Sequence, residues 1–547
     1  MKSRPTPALA ATVTSVCALA ALALTSCATP APSADTAARN GGTLVYATGD
    51  AEPACLDPHV GGNYPQALVA TQYLEPLVGR DASGAMQPWL AEAWEVSDDG
   101  LTWDFTLKGD VTFTDGTPFD AAAVKANIEH LQDPETQSST GFIATTKVER
   151  VEVVDATHAR FHLSAPDSAL VESLSQPWTA MQSPAGIARG MEANCQAPIG
   201  TGPFIVESWE PQQRVTLVRN NDYATPGPEA SHEGPAFIDR IEWRFIPDAA
   251  TRQAALASGE VNVIDNPLPS DIAAAETAGI GHINAPRPGS VNRIELNSGQ
   301  APFDDQRVRE AFVKSADPGP GIAALFQGAA EQSFSPLAST EPTAVGDESL
   351  FQTDAKAAAQ LLDEAGWKPG SDGVRTKDGK RLTVRFPVST NQSTAAEQSL
   401  FEQIQANTAQ VGFDVQLEPV DLPTWHERLG SKSYEAVSAP YSKVGPDVLR
   451  ILYHSSGITP APSGYFANHA MLQDPEIDRI LTEASSTNPG EQRDALYADA
   501  QQRILASYVL LPLYDQQNHF LTNNVEGVVT LGTVGTPTFI NAQLTAG

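Results

Sequence analysis

Two segments of the chain contain residues whose types and spacing resemble enzyme sites. His426 and Glu427 begin like a zinc-protease helix, but Gly430 stands where that motif needs its second histidine. Residues 373–381 resemble a phosphate-binding loop, yet their glycine spacing is one residue too long and Arg381 replaces the hydroxyl residue that binds magnesium. Neither segment therefore predicts metal or phosphate chemistry.

Other catalytic signals are equally incomplete. Residues 200–202, Gly-Thr-Gly, lack the third glycine of a dinucleotide-binding turn, and no G-x-S-x-G nucleophile motif occurs. The ten histidines are scattered, and His59, His158 and His162 suit packing or surface positions better than ligand positions. We expect no catalytic residue, metal or cofactor. A Ser/His/Asp site assembled from distant positions keeps a secreted hydrolase open as an alternative.

The charge and length of the chain limit its partners and its architecture. Its 547 residues include 66 acidic and 34 basic side chains, which gives a formal net charge of −32. That balance argues against nucleic acid or anionic lipid as a direct partner. Without a leader, about 510 residues remain, too many for a single hydrophobic core.

The amino terminus is typical of an export signal. Two basic residues precede an apolar run over residues 8–24, and a Leu-Thr-Ser-Cys sequence ends at Cys27. This pattern predicts a lipoprotein signal peptide at residues 1–27, after which lipidated Cys27 is the mature amino terminus and residues 28–40 form a flexible tether. An ordinary signal peptide is the alternative. A transmembrane anchor is not expected, because it would need roughly 20 apolar residues and the run over residues 8–24 is shorter.

The four cysteines divide by position. Cys17 lies in the leader and Cys27 carries the lipid, which leaves Cys55 and Cys195 in the folded part. Because an exported protein meets an oxidising compartment, we expect these two to form a disulfide. It would close a loop of about 140 residues, worth about 4–5 kcal/mol in the chain-entropy account. A metal site on two isolated cysteines is a poor alternative.

A segment near residue 100 shows the strongest strand pattern. Leu101, Trp103, Phe105 and Leu107 share one face of an extended chain, and polar residues between Asp-Gly turns share the other. This alternation predicts a β-ribbon with one buried face. Asp120 is the expected N-cap of the helix that follows.

Later segments alternate strands with helices, which predicts mixed α/β lobes. A helix from about Thr394 to Gln410 precedes a strand at residues 411–417 in a βαβ-like arrangement. A strand at residues 510–513 is expected to bring the chain back to its first half. We also expect Arg307 and Arg309 to pair with carboxylates.

Residues 87–119, QPWLAEAWEVSDDGLTWDFTLKGDVTFTDGTPF, resemble the hallmark segment of the family 5 extracellular solute-binding proteins. Other motifs of that family occur in the family's order: Leu-Asp-Pro at residues 56–58, Gly-Thr-Gly-Pro-Phe at 200–204 and PFDDQRVREA at 302–311. The resemblance spans about residue 41 to the end. Members are oligopeptide, dipeptide and nickel receptors of ATP-driven (ABC) importers, which capture a ligand and deliver it without chemistry.

The resemblance implies an α/β, two-lobed periplasmic-binding-protein-like fold of class II, cluster C type, with an extra small domain inserted in the first lobe. The expected lobe I sheet domain comprises residues 41–80, 198–288 and 510–547. Residues 81–197 form the inserted small domain and residues 289–509 form lobe II. The ligand site then lies between the lobes, and two connecting segments act as the hinge.

That topology implies a set of residues that face the cleft. They are Glu52, Asn63, Tyr64, Trp178, Gln182 and Thr201 from the first lobe, and Asn292, Arg293, Tyr441, Lys443 and Asp447 from the second. The guanidinium group of Arg293 would suit a bidentate carboxylate clamp. A surface salt bridge is the alternative for that arginine.

One departure from the family concerns the ligand's amino group. Peptide-binding relatives use an aspartate of the second lobe, after a Gly-Trp pair, against the amino terminus of the ligand. Here Pro440-Tyr441 replaces Gly-Trp, and Lys443 lies near the place of that aspartate. Asp447 aligns better with a later aspartate that begins a helix. This departure favours another ligand or a differently placed counter-charge.

The sequence therefore predicts a lipid-anchored, monomeric receptor on the extracytoplasmic face of the cell membrane. It would bind a peptide or a similarly sized polar solute and dock on ABC permease subunits. A nickel-chelate receptor, an oligosaccharide receptor and a signalling receptor that presents its ligand to a membrane sensor are alternatives on the same fold.

Overall fold

The computed structural model describes residues 40–545, apart from residues 82, 439, 440 and 442. The expected signal peptide, the lipidated Cys27 and nearly all of the tether lie outside the described residues. Within that part of the chain, no helix is long and apolar enough to cross a membrane.

The strands are spread over the whole described chain. In chain order they are β1 Thr43–Thr48, β2 Val78–Arg80, β3 Met86–Pro88, β4 Ala91–Val96, β5 Thr102–Leu107, β6 Val148–Asp155, β7 His158–Leu163, β8 Phe204–Glu210, β9 Arg214–Arg219, β10 Arg240–Phe245, β11 Val263–Asp265, β12 Gly281–Pro286, β13 Asn292–Leu296, β14 Lys368–Pro369, β15 Arg375–Lys377, β16 Lys380–Arg381, β17 Thr383–Ser389, β18 Asp414–Val420, β19 Ala436–Ser438, β20 Leu510–Tyr514, β21 Gln517–Thr522, β22 Val525–Glu526, β23 Val529–Thr530, β24 Pro537–Thr538 and β25 Gln543–Leu544.

Helices separate many of these strands, as expected for mixed α/β lobes. They are α1 Tyr64–Ala70, α2 Ala121–Gln132, α3 Thr140–Thr145, α4 Leu170–Ser173, α5 Pro184–Ile187, α6 Met191–Gln196, α7 Ala249–Ala257, α8 Pro269–Ala278, α9 Gln306–Ala316, α10 Gly319–Phe326, α11 Ala355–Glu364, α12 Ala395–Ala409, α13 Leu422–Gly430, α14 Val448–Tyr453, α15 Pro475–Ser486 and α16 Glu491–Ala506. Short 3₁₀ helices lie at Pro134–Thr136, Pro177–Thr179, Glu348–Phe351 and Ser455–Ile458.

A seven-stranded mixed sheet forms the centre of the first lobe, in the order β12-β21-β11-β1-β10-β9-β8. It combines strands from the beginning, the middle and the end of the chain. β1 pairs in parallel with both β10 and β11, whereas β21 is antiparallel to β11 and β12. The carboxyl ends of three neighbouring parallel strands therefore meet at one edge of this sheet.

The predicted β-ribbon belongs to a separate antiparallel sheet, β4-β5-β7-β6, packed against α2 in a core of its own. Trp103, Phe105 and Leu107 are buried on one face, as the alternation predicts. Leu101 is 36% exposed, because it lies between the Asp-Gly turn and the first residue of β5. The Asp120 carboxylate accepts a hydrogen bond from the Ala123 amide at 2.9 Å, which confirms the expected N-cap.

The second lobe has the largest buried apolar cluster, built around β19-β13-β20 and the parallel pair β17-β18. α12 connects β17 to β18, which confirms the βαβ-like unit. β18 begins only at Asp414, later than predicted, because Gly412 with a φ of 105° turns the chain first.

Two expectations about this lobe are wrong. β20 pairs with β13, and its leucines belong to the second lobe's core, so the chain returns to the first lobe after residue 514 rather than at residue 510. Arg307 does pair with Asp305, at 2.7 Å. Arg309 instead donates to the main-chain carbonyl oxygens of Phe303 and Ser507. Its guanidinium group is buried, and these carbonyl groups are the acceptors beside it.

Cys55 and Cys195 form a disulfide that joins residues 140 positions apart. The bond ties the segment after β1 to the end of α6. The Leu56 amide also donates to the Cys195 carbonyl at 2.9 Å, so main-chain and covalent links hold the same two segments.

We expect the double substitution of Cys55 and Cys195 by alanine to lower the free energy of unfolding by about 4–5 kcal/mol, since the long loop becomes free in the unfolded chain. Guanidinium denaturation followed by circular dichroism measures the change, and reduction of the unaltered protein should shift the transition in the same direction. Equal stability of the oxidised protein and the double variant would contradict this expectation.

Candidate functional site

A cavity of about 1160 Å³ lies between the two lobes. From the first lobe, the loops that follow the parallel strands β1, β10 and β11 line it at residues 49–50, 247–250 and 266–269. From the second lobe, the segment after the parallel strand β17 lines it at residues 390–396. Ligands in α/β folds bind outside the carboxyl ends of parallel strands, so this is where the fold predicts a site.

The cavity wall is rich in aromatic side chains. Those that line it are Tyr64, Trp178, Phe326, Trp425, Tyr441, Tyr465, Phe466 and Tyr514. Charged and amide side chains lie among them, and this mixture is typical of a site that holds a polar organic molecule.

Two chain segments connect the lobes and form the floor of the cleft. One runs from β12 to β13 and the other from β20 to β21. The Arg287 amide donates to the Gln516 carbonyl at 2.9 Å, and the Gln516 side chain donates back to the Ser290 carbonyl at 2.7 Å. Glu341 fixes the turn at Gly289 against the second lobe, because its carboxylate accepts the amides of Gly289 and Gly445. The two connections therefore lie side by side.

Five of the predicted residues line the cavity: Asn63, Tyr64, Trp178, Asn292 and Tyr441. The Asn63 side chain caps α1, and the Asn63 main-chain carbonyl accepts a hydrogen bond from the Trp178 indole at 3.1 Å. The Tyr64 hydroxyl accepts a hydrogen bond from the Asn518 amide group at 2.7 Å. These contacts fix the first-lobe side of the cleft.

Asn292 links the hinge to the second lobe. Its amide nitrogen donates to the Glu397 carboxylate at 2.7 Å and to the Tyr514 hydroxyl at 2.8 Å. Glu397 also accepts the Thr394 amide in a capping box at the start of α12. Burial raises the pKa of Glu397. This network fixes the amino-terminal turn of α12, which lines the cleft.

Glu52 and Thr201 are not among the residues that line the cavity. The Glu52 carboxylate accepts hydrogen bonds from the Trp209 indole at 2.6 Å and from the Gln212 amide. The Thr201 hydroxyl donates to the buried Glu75 carboxylate at 2.6 Å. These two side chains do not reach the cavity wall, because partners inside the first lobe take up their polar groups.

Gln182 lies in a buried network around Asp57 rather than in the cleft. Its side-chain amide donates to the Asp57 carboxylate at 2.6 Å. The same carboxylate also accepts hydrogen bonds from the Asn194 side chain, the His59 main-chain amide and the His130 ring. Asp57, His59 and His130 are also a group of described side chains near enough for a metal ion. Because four donors already satisfy Asp57, the structure favours a structural network over a metal site.

Arg293 is fully buried in the second lobe. Its guanidinium group lies 2.7 Å from the Glu295 carboxylate and donates to the Ser290 hydroxyl at 2.9 Å. Although burial alone would raise it, Arg293 holds the pKa of Glu295 below its usual range. The expected carboxylate clamp is therefore wrong, because Arg293 already has a carboxylate partner inside the lobe.

Lys443 and Asp447 are also buried away from the cavity wall. The Lys443 ammonium lies 3.0 Å from Asp447, and Arg450 donates to both oxygens of the same carboxylate at 2.9 and 2.8 Å. Burial would raise the pKa of Asp447, but Arg450 and Lys443 lower it below its usual range. These two residues stabilise the lobe instead of facing a ligand.

Sequence reasoning missed several cavity residues, above all Asp50, Arg287 and the Trp425–His426 pair. Asp50 lies directly after β1, at the carboxyl end of a parallel strand, and this position was the available signal. Arg287 precedes a Pro-Gly turn, and its guanidinium group lies 4.3 Å above the centre of the Tyr64 ring. No motif marks either residue.

We expect Asp447→Asn to lower the free energy of unfolding by about 3–5 kcal/mol, because it leaves two cations buried without their carboxylate. The matched control is Asp499→Asn, which breaks an exposed helical pair with Arg503 and should cost less than about 1 kcal/mol. Urea denaturation measures both variants. Similar small losses for the two would contradict the assignment of Asp447 to a buried ion network.

Comparison with known proteins agrees with this architecture. The family described as "Bacterial extracellular solute-binding proteins, family 5 Middle" matches residues 85–461. The nickel-binding periplasmic protein of Escherichia coli (strain K12) is 29% identical over 470 residues, 84% of this chain and 86% of that protein. The glutathione-binding protein GsiB of Salmonella paratyphi A is 29% identical over 476 residues, with the same two coverages of 84% and 86%.

Solved structures show the same two-lobed fold. NikA from Brucella suis, in complex with Fe(III)-EDTA, has a TM-score of 0.78 at 26% identity and covers 92% of this chain and 100% of its own. A dipeptide-binding protein from Pseudoalteromonas sp. SM9913, in complex with Met-Leu, has a TM-score of 0.79 at 22% identity with coverages of 92% and 100%. The chain belongs to the family 5 bacterial extracellular solute-binding proteins.

Proposed function

We propose that this protein is the solute receptor of an ABC importer and that it captures a peptide or a similarly sized polar solute between its lobes. The observation that carries the proposal is the aromatic and polar cavity of about 1160 Å³, lined by both lobes and floored by the two connecting segments. Small-molecule pockets span about 300–1000 Å³, so a cavity of this size suits a ligand as large as a short peptide.

Capture would proceed by closure of the lobes about the connecting segments. Several contacts join the lobes and would have to break when the cleft opens. The His519 ring donates to the Ala329 carbonyl at 3.1 Å, the Ser168 amide donates to the Ser485 carbonyl at 2.9 Å, and Arg493 lies 3.5 Å from Glu172. A ligand that touches both lobes would add to these contacts and shift the population toward the closed form.

Delivery requires a membrane partner and a way to stay near it. We infer that Cys27 is lipidated, that residues 28–40 tether the lobes to the outer face of the cell membrane, and that the receptor docks as a monomer on permease subunits whose ATPase supplies the energy. The lipobox-like sequence before Cys27 supports the anchor. Membership of a binding-protein family, together with incomplete enzyme motifs, supports capture without catalysis.

A nickel-chelate receptor is the second candidate. The observation that favours it is the similarity to the nickel-binding protein of Escherichia coli and to NikA in complex with Fe(III)-EDTA. In the cleft of this chain, His426 lines the cavity and would offer an imidazole group to a metal chelate, whereas both ring nitrogens of His519 already contact Ala329 and His282.

The two candidates differ in a thermal-shift screen of the purified protein against dipeptides, oligopeptides, oligosaccharides and metal chelates. We expect saturable stabilisation by peptides or by polar solutes of similar size, since a ligand that binds only the folded state raises its melting temperature. Mass spectrometry of the recovered ligand serves as the control for turnover. Stabilisation by metal chelates alone supports the second candidate, and conversion of the ligand to a product would contradict both.

A further inference from the structure

The charged groups of the cleft differ in how well they are paired. Four carboxylates line the cavity: Asp50, Asp248, Glu427 and Asp515. Asp248 caps α7 through the Thr251 amide at 2.7 Å, and Asp515 accepts the Ser339 amide at 3.0 Å. Glu427 lies on an exposed turn of α13 at the rim. Asp50 is the cavity carboxylate that neither a main-chain hydrogen bond nor an exposed rim position accounts for.

Asp50 is half-buried at the end of β1, and its carboxylate accepts one hydrogen bond, from the Asn266 amide group at 3.3 Å. No lysine, arginine or histidine of the described chain lies within the 4.0 Å of an ion pair with it. A carboxylate that loses water without gaining a cation is costly, so this position favours a positive group from elsewhere.

Groups next to Asp50 make a positive partner for its carboxylate still more favourable. The buried Asp265 carboxylate lies behind it and is held by Tyr46, Thr48 and the Gly49 amide. Burial and the charge of Asp265 raise the pKa of Asp50 to about 7, although Arg287 and Arg252 act in the opposite direction.

The two nearby arginines are committed to other groups. Arg252 donates to the carbonyl oxygens of residues 246, 247, 265 and 266, and so stabilises the loops beneath the cleft. Arg287 stacks on the Tyr64 ring and its main chain belongs to the hinge. Both arginines act on Asp50 through long-range electrostatics, but neither forms an ion pair with its carboxylate.

The described residues of the second lobe offer no half-buried carboxylate on the cavity wall comparable to Asp50. Asp447 is neutralised by Lys443 and Arg450 inside the second lobe and does not line the cavity. Among the described residues, Glu427 is the second-lobe carboxylate on the cavity wall, whereas Asp515 lies in the β20–β21 connection. The counter-charge for a ligand cation is thus offered by the first lobe.

We propose that Asp50 binds a cationic nitrogen of the ligand, an ammonium or guanidinium group, and that the solute captured by this receptor carries such a group. This inference rests on the proposed function, because it names the chemical class of solute for the same cleft. When the lobes close and exclude water, the pairing of Asp50 with the ligand cation strengthens. Aromatic neighbours such as Tyr64 and Trp178 would contact the rest of the solute.

The test is a binding series by isothermal titration calorimetry. The probes are agmatine, lysine and alanine peptides of two to five residues. Lysine and each alanine peptide are compared with their fully N-acetylated counterparts, which carry no cationic nitrogen. We expect at least one free amine or guanidine to bind and Asp50→Asn to weaken it about 30-fold or more, as truncation of one partner of a buried charge pair does. Asp50→Glu should restore part of the affinity. Asp499→Asn, the control with the same charge change in an exposed helical pair outside the cleft, should alter affinity less than about twofold.

A proton-linkage measurement separates direct pairing from a structural role of Asp50. At pH 7 a carboxyl with a pKa of about 7 is half protonated, so pairing with a cation should release about half a proton. Titrations in buffers of different ionisation enthalpy measure this release, and Asp50→Asn should abolish it.

The outcomes are distinguishable. Unchanged affinity in Asp50→Asn, or equal binding of the acetylated and free probes, overturns the role of Asp50 while the receptor function stands. If oligosaccharides or metal chelates bind and none of the amine or guanidine probes does, the role of Asp50 is likewise overturned and the receptor function stands. Absence of binding by any peptide, polar solute or chelate overturns both the inference and the proposed function.

Discussion

Hydrogen bonds between the two connecting segments define how the lobes of this protein are related. The Gln516 side chain and the Arg287 main chain join the β12–β13 connection to the β20–β21 connection, and Glu341 fixes the turn at Gly289 beside them. Because these links lie at the floor of the cleft, the proposed capture would require rotation about them, which would leave each lobe's core intact. The large buried clusters on either side are otherwise separate.

The buried charges fall into two kinds with different consequences. Arg293–Glu295 and Lys443–Asp447–Arg450 are ion networks inside the second lobe, where each charge has an opposite partner. Such networks cost desolvation, and they hold only because the partners are close and well oriented. Asp50 differs because its partner is missing from the described chain. The contrast between saturated and unsaturated carboxylates is what separates structural charge from candidate ligand contacts in this fold.

Local sequence signals predicted the elements well. Alternation found the buried face of β5, Asp120 was identified as a cap, and the export context led to the disulfide of Cys55 and Cys195. Predictions failed where the answer depended on distant parts of the chain. Nothing in the sequence near Lys443 or Asp447 shows that they neutralise one another in the interior, and the apolar run of β20 suited either lobe equally well. The rule that ligand sites follow parallel strands was the usable signal for Asp50, but it needs the pairing of β1 with β10 and β11.

Closure of the lobes around a bound solute would make the receptor more compact, and small-angle X-ray scattering of the purified protein detects such a change. With a saturating ligand identified by thermal shift, the account predicts a smaller radius of gyration and a narrower distribution of interatomic distances than without it. Identical scattering curves for the free and the fully occupied protein would contradict closure as the mechanism of capture.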